Sequence, residues 1–207
     1  MKYQAKWIVG GGMLFLILIS GCSGRAARIR PPKLSPTEIA AEAMRQLDKN
    51  GNGRIEQQEA AANPAIAAAF PRCDTSPADK ALTAEEIAGR LQRMLDTRLG
   101  MMPCYCEVTL DGQPLVDAKV RLIPEPLLGD GLSEAEGTTS DSGEARPMMV
   151  GAEPGTPGVQ FGWYRVEITH PTINVPARYN SATTLGMEIS PLERESDHAA
   201  FKLTSKP

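Results

Sequence analysis

Histidine is nearly absent from this 207-residue chain, with only His170 and His198 present. Chemistry that leans on imidazole therefore has little to draw on, and a zinc site would need more ligands than lie near one another. No nucleophile elbow and no phosphate-cradling glycine loop occurs. Basic charge is not in excess either. The formal charge is −3, and setting aside Lys2 and Lys6 of the leading segment makes it −5. No basic stripe runs along the chain, so nucleic acid is not an expected partner. The extended apolar run, Trp7 to Ile19, has 13 residues, short of the roughly 20 that a comfortable membrane span needs. Asp130, Glu134, Glu136 and Asp141 make an acidic stretch, but a solvated loop is its simpler reading. No catalytic residue is assigned, and the chain reads as a non-enzyme.

What is present begins with the first 21 residues. Lys2 and Lys6 give a positive start, the apolar run follows, and Ile19-Ser20-Gly21 places small residues before Cys22. This is the layout of a secretory signal. The tetrapeptide ending at Cys22 resembles the lipobox of bacterial lipoproteins. That resemblance implies cleavage before Cys22, acylation of its thiol and new amino group, and a lipid anchor at the cell envelope. Ser23, by the same analogy, favours the outer membrane. Residues 22–34, with scattered arginines and Pro31-Pro32, read as an extended, mobile tether.

The most constrained stretch is Asp48 to Glu59. Oxygen-bearing side chains stand at its first, third, fifth and twelfth places (Asp48, Asn50, Asn52, Glu59), glycine at the sixth and Ile55 at the eighth. This spacing is that of an EF-hand-type calcium loop. A hard cation takes six to eight oxygens, so the alternate side chains turn inward while Gly53 allows the sharp bend. Arg54 is expected to lend only its backbone carbonyl, Glu56 to act directly or through water, and Glu59 to close the sphere. Two asparagines in place of aspartates predict a modest dissociation constant for calcium (Ca2+), on the order of 10⁻⁵ to 10⁻³ M.

The flanks read as helices. Ser35-Pro36-Thr37-Glu38 has the form of a capping box, with Ile39, Ala43, Met44 and Leu47 at helical spacing. Asn63-Pro64 restarts a helix after Glu59. A second loop, Asp74 to Glu86, departs from the pattern: it is one residue too long, carries Pro77, and has Lys80 or Ala81 where glycine is wanted. It is expected to brace the first loop by pairing Leu82 with Ile55, with little or no calcium of its own. Thr83 and Glu86 form another capping box before Ile87, Leu91, Met94 and Leu95.

After Gly100 the pattern changes to short strands and turns. Cys106 to Leu110 alternates, Asp111-Gly112 signals a hairpin, and Ala118 to Ile123 continues as strand. Tyr164, Val166 and Ile168 share one face of another strand, and Thr184 to Ile189 and Phe201 to Leu203 supply two more. Residues 104–205 resemble the transthyretin-like or carboxypeptidase-regulatory-like β-sandwich of planctomycete-type lipoproteins. Val108 to Leu115, Ala118 to Val120, Thr139 to Gly143, Pro157-Gly158, Tyr164 to Ile168, Pro176 to Asn180 and Phe201 to Leu203 carry the likeness. It implies a fold and an extracytoplasmic setting, and no catalytic residue. The stretch Gly151 to Gly162 is longer than the turn that pattern expects.

With Cys22 assigned to lipid, Cys73, Cys104 and Cys106 remain. Cys104 and Cys106 lie on one side of one strand, a poor geometry for bonding each other. An exported compartment permits a bridge from Cys73 to either of them; a redox role for Cys104-Tyr105-Cys106 is the sharper reading, but nothing nearby looks like an oxidoreductase fold.

The expected fold class is α+β in two modules, a helical EF-hand pair (35–99) followed by an antiparallel β-sandwich. The expected function is that of a lipid-anchored, extracytoplasmic calcium-binding protein whose second module binds or scaffolds an envelope protein or glycan. The alternative is a non-catalytic accessory domain for envelope glycan or peptide handling.

Overall fold

The computed structural model describes residues 30–152, 158–193 and 198–206. The expected signal segment, Cys22 and most of the expected tether lie outside the described residues, as do Pro154 and Pro157 of the long loop.

The first helix, α1 (Pro36–Leu47), begins where proline fits the first helical place, although the Ser35 side chain makes no capping bond. It buries Ile39, Ala40, Ala43 and Leu47. After the Asp48 loop come β1 (Ile55–Glu56) and α2 (Gln57–Ala60). Asn63 then caps a new helix, α3 (Pro64–Cys73), its Oδ1 accepting from the N–H groups of Ala65 and Ile66. β2 (Ala81–Leu82) pairs antiparallel with β1, setting Ile55 opposite Leu82 as the sequence predicts. Thr83 and Glu86 close the capping box that starts α4 (Ala84–Asp96).

The strands that follow are β3 (Tyr105–Leu110), β4 (Gln113–Pro114), β5 (Lys119–Pro124), β6 (Ala135–Thr138), β7 (Glu144–Ala145), β8 (Met148–Met149), β9 (Gly162–Thr169), β10 (Gly186–Ile189) and β11 (His198–Leu203). Asp111 and Gly112, both at positive φ, make the two-residue turn between β3 and β4. Among the described residues one sheet runs β10-β9-β5-β6-β8. A second runs β11-β3-β4, with β7 also on β3. Both turn side chains into one core: Cys106, Val108, Phe201 and Leu203 meet Val120, Leu122, Tyr164, Val166, Ile168, Met187 and Ile189.

Two modules in series, a helical EF-hand pair and then an antiparallel β-sandwich, are not what the chain forms. Among the described residues the helices are short and scattered: α2 has 4 residues and α4, the longest of those α-helices, 13. Pro64 has no N–H to continue α2, and Asn63 caps a fresh start instead. The pairing is not wholly antiparallel, because β11 runs parallel to β3 over six residues. Nor do the helices form a separate unit. Trp163 of β9 and Leu127 and Leu128 of the 3-10 turn Pro126–Gly131 share a core with Ile39, Ile55, Ile66, Phe70 and Leu91. The helices are laid on the outer side of the larger sheet, β9 being covered on both faces.

Close approach fixes that arrangement. A Cβ on Gly186 would stand 1.9 Å from the Pro64 carbonyl oxygen, so only glycine lets the start of α3 lie on β10. The tether is also pinned at its end. Pro32 is buried, Leu34 packs on the helical core, and the Lys33 carbonyl lies where a Gly131 side chain would be.

Candidate metal centre

The residues singled out between Asp48 and Glu59 do come together. Asp48 ends α1, and its carboxylate accepts from the next turn of backbone: Oδ1 from the N–H of Gly51 at 2.7 Å and of Asn52 at 3.1 Å, Oδ2 from that of Gly53 at 2.9 Å. Gly51 and Gly53 take φ of 72° and 80°, the left-handed region that glycine enters without strain. Asn50 Oδ1 accepts from the Asn52 N–H and Asn52 Oδ1 from the Arg54 N–H, curling the chain tightly. Both asparagine amides donate to the Glu56 carboxylate.

Glu59 closes the ring from α2. Its Oε1 accepts from the N–H groups of Lys49 (2.8 Å) and Asn50 (3.2 Å), its Oε2 from that of Glu56 (3.0 Å). Hydrogen bonding from Glu56, side chain and backbone, and then from Lys49 and Asn50, holds this carboxyl down at about 2 against an ordinary 4.5. A depressed carboxyl contributes stability above its unfolded value and loses it as pH falls through the folded one. Loop amides followed by NMR should therefore keep their native shifts at pH 5 and lose them between pH 4.5 and about 2.

Arg54 does not face the ring. Its guanidinium reaches across to Asp79 of the second loop, and Ile55 beside it is wholly buried against Leu82. The second loop uses its acids on itself. Glu86 accepts from Thr75, N–H and hydroxyl, and from the Thr83 N–H. Burial pushes the Glu86 carboxyl up, but the bonds from Thr75 and Thr83 outweigh it and leave it lowered. Lys80 takes φ 52°, the strained conformation that the missing glycine would have relieved. With Asp79 held by Arg54 and Glu86 by threonines, the oxygens of this loop do not gather as those of the first do.

The first loop's donor set is hard oxygen, the chemistry that calcium selects over softer metals. Among the described residues no group of three or more His, Cys, Asp or Glu stands close enough to hold a metal ion by itself. Neutral Asn50 and Asn52 are interposed between the acids, turning their amide nitrogens to Glu56 in this arrangement. Accepting a cation therefore requires both amides to turn their oxygens inward.

Cys73, Cys104 and Cys106 are all buried and none is bridged to another. Burial, then the nearby Glu188 charge, pushes the Cys73 thiol far up, the opposite of what a redox nucleophile needs.

Sequence reasoning missed a buried charge network behind the loops. Arg90 of α4 donates to Glu188 of β10 at 2.9 and 3.1 Å and to Glu193 at 2.7 Å. Glu188, 1% exposed, also accepts from the Trp163 indole N–H at 3.0 Å. Burial lowers the Arg90 pKa, but its bonds to Glu193 and Glu188 outweigh that and raise it, while Arg90 in turn lowers Glu193. The one legible signal was an arginine within the Ile87, Leu91, Met94 stripe.

Compared with protein-family models, curated proteins and solved structures, the chain finds no match.

Proposed function

We propose that residues 48–59 hold a structural calcium ion in an exported protein tied to the envelope membrane by lipid at Cys22. The convergence of Asp48, Asn50, Asn52, Glu56 and Glu59 in one exposed loop, fastened through backbone N–H groups to the end of α1 and the start of α2, carries the reading. The ion would supply the positive charge that the carboxylates of this loop lack, and Asp48, Asn50, Asn52, Glu56 and Glu59 would hold it with the Arg54 carbonyl once both asparagine amides turn their oxygens inward. The lipid anchor rests on the sequence at Ile19 to Cys22, and the sheets serve as a binding or scaffolding surface.

Calorimetry and thermal melting of the full chain in detergent, chelated and then titrated with calcium, test this. Saturable heat is expected with a dissociation constant on the order of 10⁻⁵ to 10⁻³ M. At free calcium 100-fold above that constant the fold should gain about 2.7 kcal/mol. Asp48→Ala and Glu59→Gln should abolish both effects. An identical melt with chelator and with millimolar calcium would overturn the reading. Mass spectrometry of the membrane fraction, with Cys22→Ser as control, tests the anchor.

A further inference from the structure

The outer face of the smaller sheet carries a groove of about 440 Å³ lined by Tyr105, Glu107, Ser142, Glu144, His198 and Ala200, among others. It lies apart from the oxygen loop, and its argument stands whether or not that loop binds calcium. Register explains its shape. Tyr105 pairs with His198 and Glu107 with Ala200 across β3 and β11, while Glu107 pairs with Glu144 across β3 and β7. One row across the sheet is therefore Glu144, Glu107, Ala200, and the next holds Tyr105 and His198 with their rings stacked at 4.6 Å. Ala200, the smallest of these side chains, leaves the gap that becomes the floor.

Charge and shape point to one kind of occupant. Two carboxylates directly opposite one another on neighbouring strands repel. Among the described residues Glu107 has no ion pair, and Arg146 reaches Glu144 only at 3.9 Å. Lys202, exposed two residues beyond Ala200, borders a separate, much smaller depression of about 20 Å³ at Glu107 and Thr109. The Tyr105 face is taken by a cation of the chain itself, the Arg146 guanidinium at 4.7 Å from the ring centre, so the carboxylates and the His198 side of the groove remain for an incoming group.

We propose that this groove takes a lysine side chain of an extended peptide: its ammonium bridges Glu107 and Glu144, and its methylene stem crosses Ala200 beside the His198 ring. A compact ammonium with rotatable donors suits two carboxylates on separate strands better than a planar fork. The groove volume is of ligand-pocket size, beyond what a single butylammonium chain fills, and its run along β3 and β11 from the Tyr105–His198 row to the Glu107–Ala200 row favours an extended chain over a free amine.

The test is a titration of the full chain in detergent, with chelator present, using a fluorescein-labelled Ala-Ala-Lys-Ala-Ala peptide and its norleucine counterpart. Binding of the lysine peptide at least tenfold tighter than the norleucine one is expected. Glu107→Gln/Glu144→Gln, and separately Ala200→Leu, should lose that binding without lowering the melting temperature, since all three residues are exposed and the first variant removes a like-charge pair. Equal binding of both peptides, or binding that survives the double glutamine variant, overturns the proposal. Stronger competition by spermidine than by unlabelled lysine peptide marks a free-amine site and overturns the peptide assignment. Failure here with calcium binding intact leaves the reading of the 48–59 loop standing.

Discussion

Replacing Glu188 with alanine is expected to cost about 3–5 kcal/mol, read as a fall in the urea midpoint. The reason is that Arg90, 3% exposed, would keep its charge with one of its two carboxylate partners gone, and the Trp163 N–H would lose its acceptor in the same step. Arg72, at 3.4 Å from Glu188, would lose a weaker contact. Removing both charges tells a different story. Arg90→Met with Glu188→Leu discards the desolvation cost along with the attraction, and such swaps are often neutral. The double variant should therefore recover most of the loss. A double variant as unstable as the sum of the two single ones would mean that the two side chains act independently, so that the loss in Glu188→Ala does not come from an unpaired Arg90. Because Arg90 belongs to α4 and Glu188 to β10, this pair also fastens helices to sheet, which explains why the helices do not behave as a separate unit.

The turn of residues 48–59 was legible because its glycines, asparagines and carboxylates shape the chain locally, and each of its causes sits within twelve consecutive residues. The strand pattern was legible for a similar reason. Tyr164, Val166 and Ile168 alternate, and all three do face the core between the sheets. Trp163 was not, since alternation assigns it to the opposite face without saying whether water or helix lies there. The partner of Arg90 is 98 residues away, and no period in either segment announces it. Gly186 looked like any strand glycine until Pro64 was found against it. Periodicity reports which side of an element is apolar, not what covers the other side. For that reason the division into a helical pair and a sandwich failed, although most of its pieces lie where they were expected.

Ile55→Ala is expected to cost about 2–4 kcal/mol and to weaken the proposed calcium binding at the 48–59 loop about tenfold, roughly 1.4 kcal/mol. Ile55 is fully buried, paired with Leu82 across the two short strands and packed in the core that also holds Leu47, Ile87 and Leu91. Truncation opens a cavity there, and the partial collapse that follows moves the backbone between Arg54 and Glu56. Glu59 accepts from the Glu56 N–H, and both asparagine amides donate to the Glu56 carboxylate, so a shift in that backbone loosens the ring from its far side. Leu82→Ala removes the facing side chain from the second loop and should lower stability by a similar amount. Its effect on calcium should be smaller, because the bonds of Leu82 do not touch the ring. Melting with chelator separates the packing loss from the binding loss, and calorimetry gives the affinity directly. If Ile55→Ala lowered the melting point yet bound calcium as the parent chain does, the ring would be shaped by its own turns and hydrogen bonds alone, with the core beneath it serving only stability.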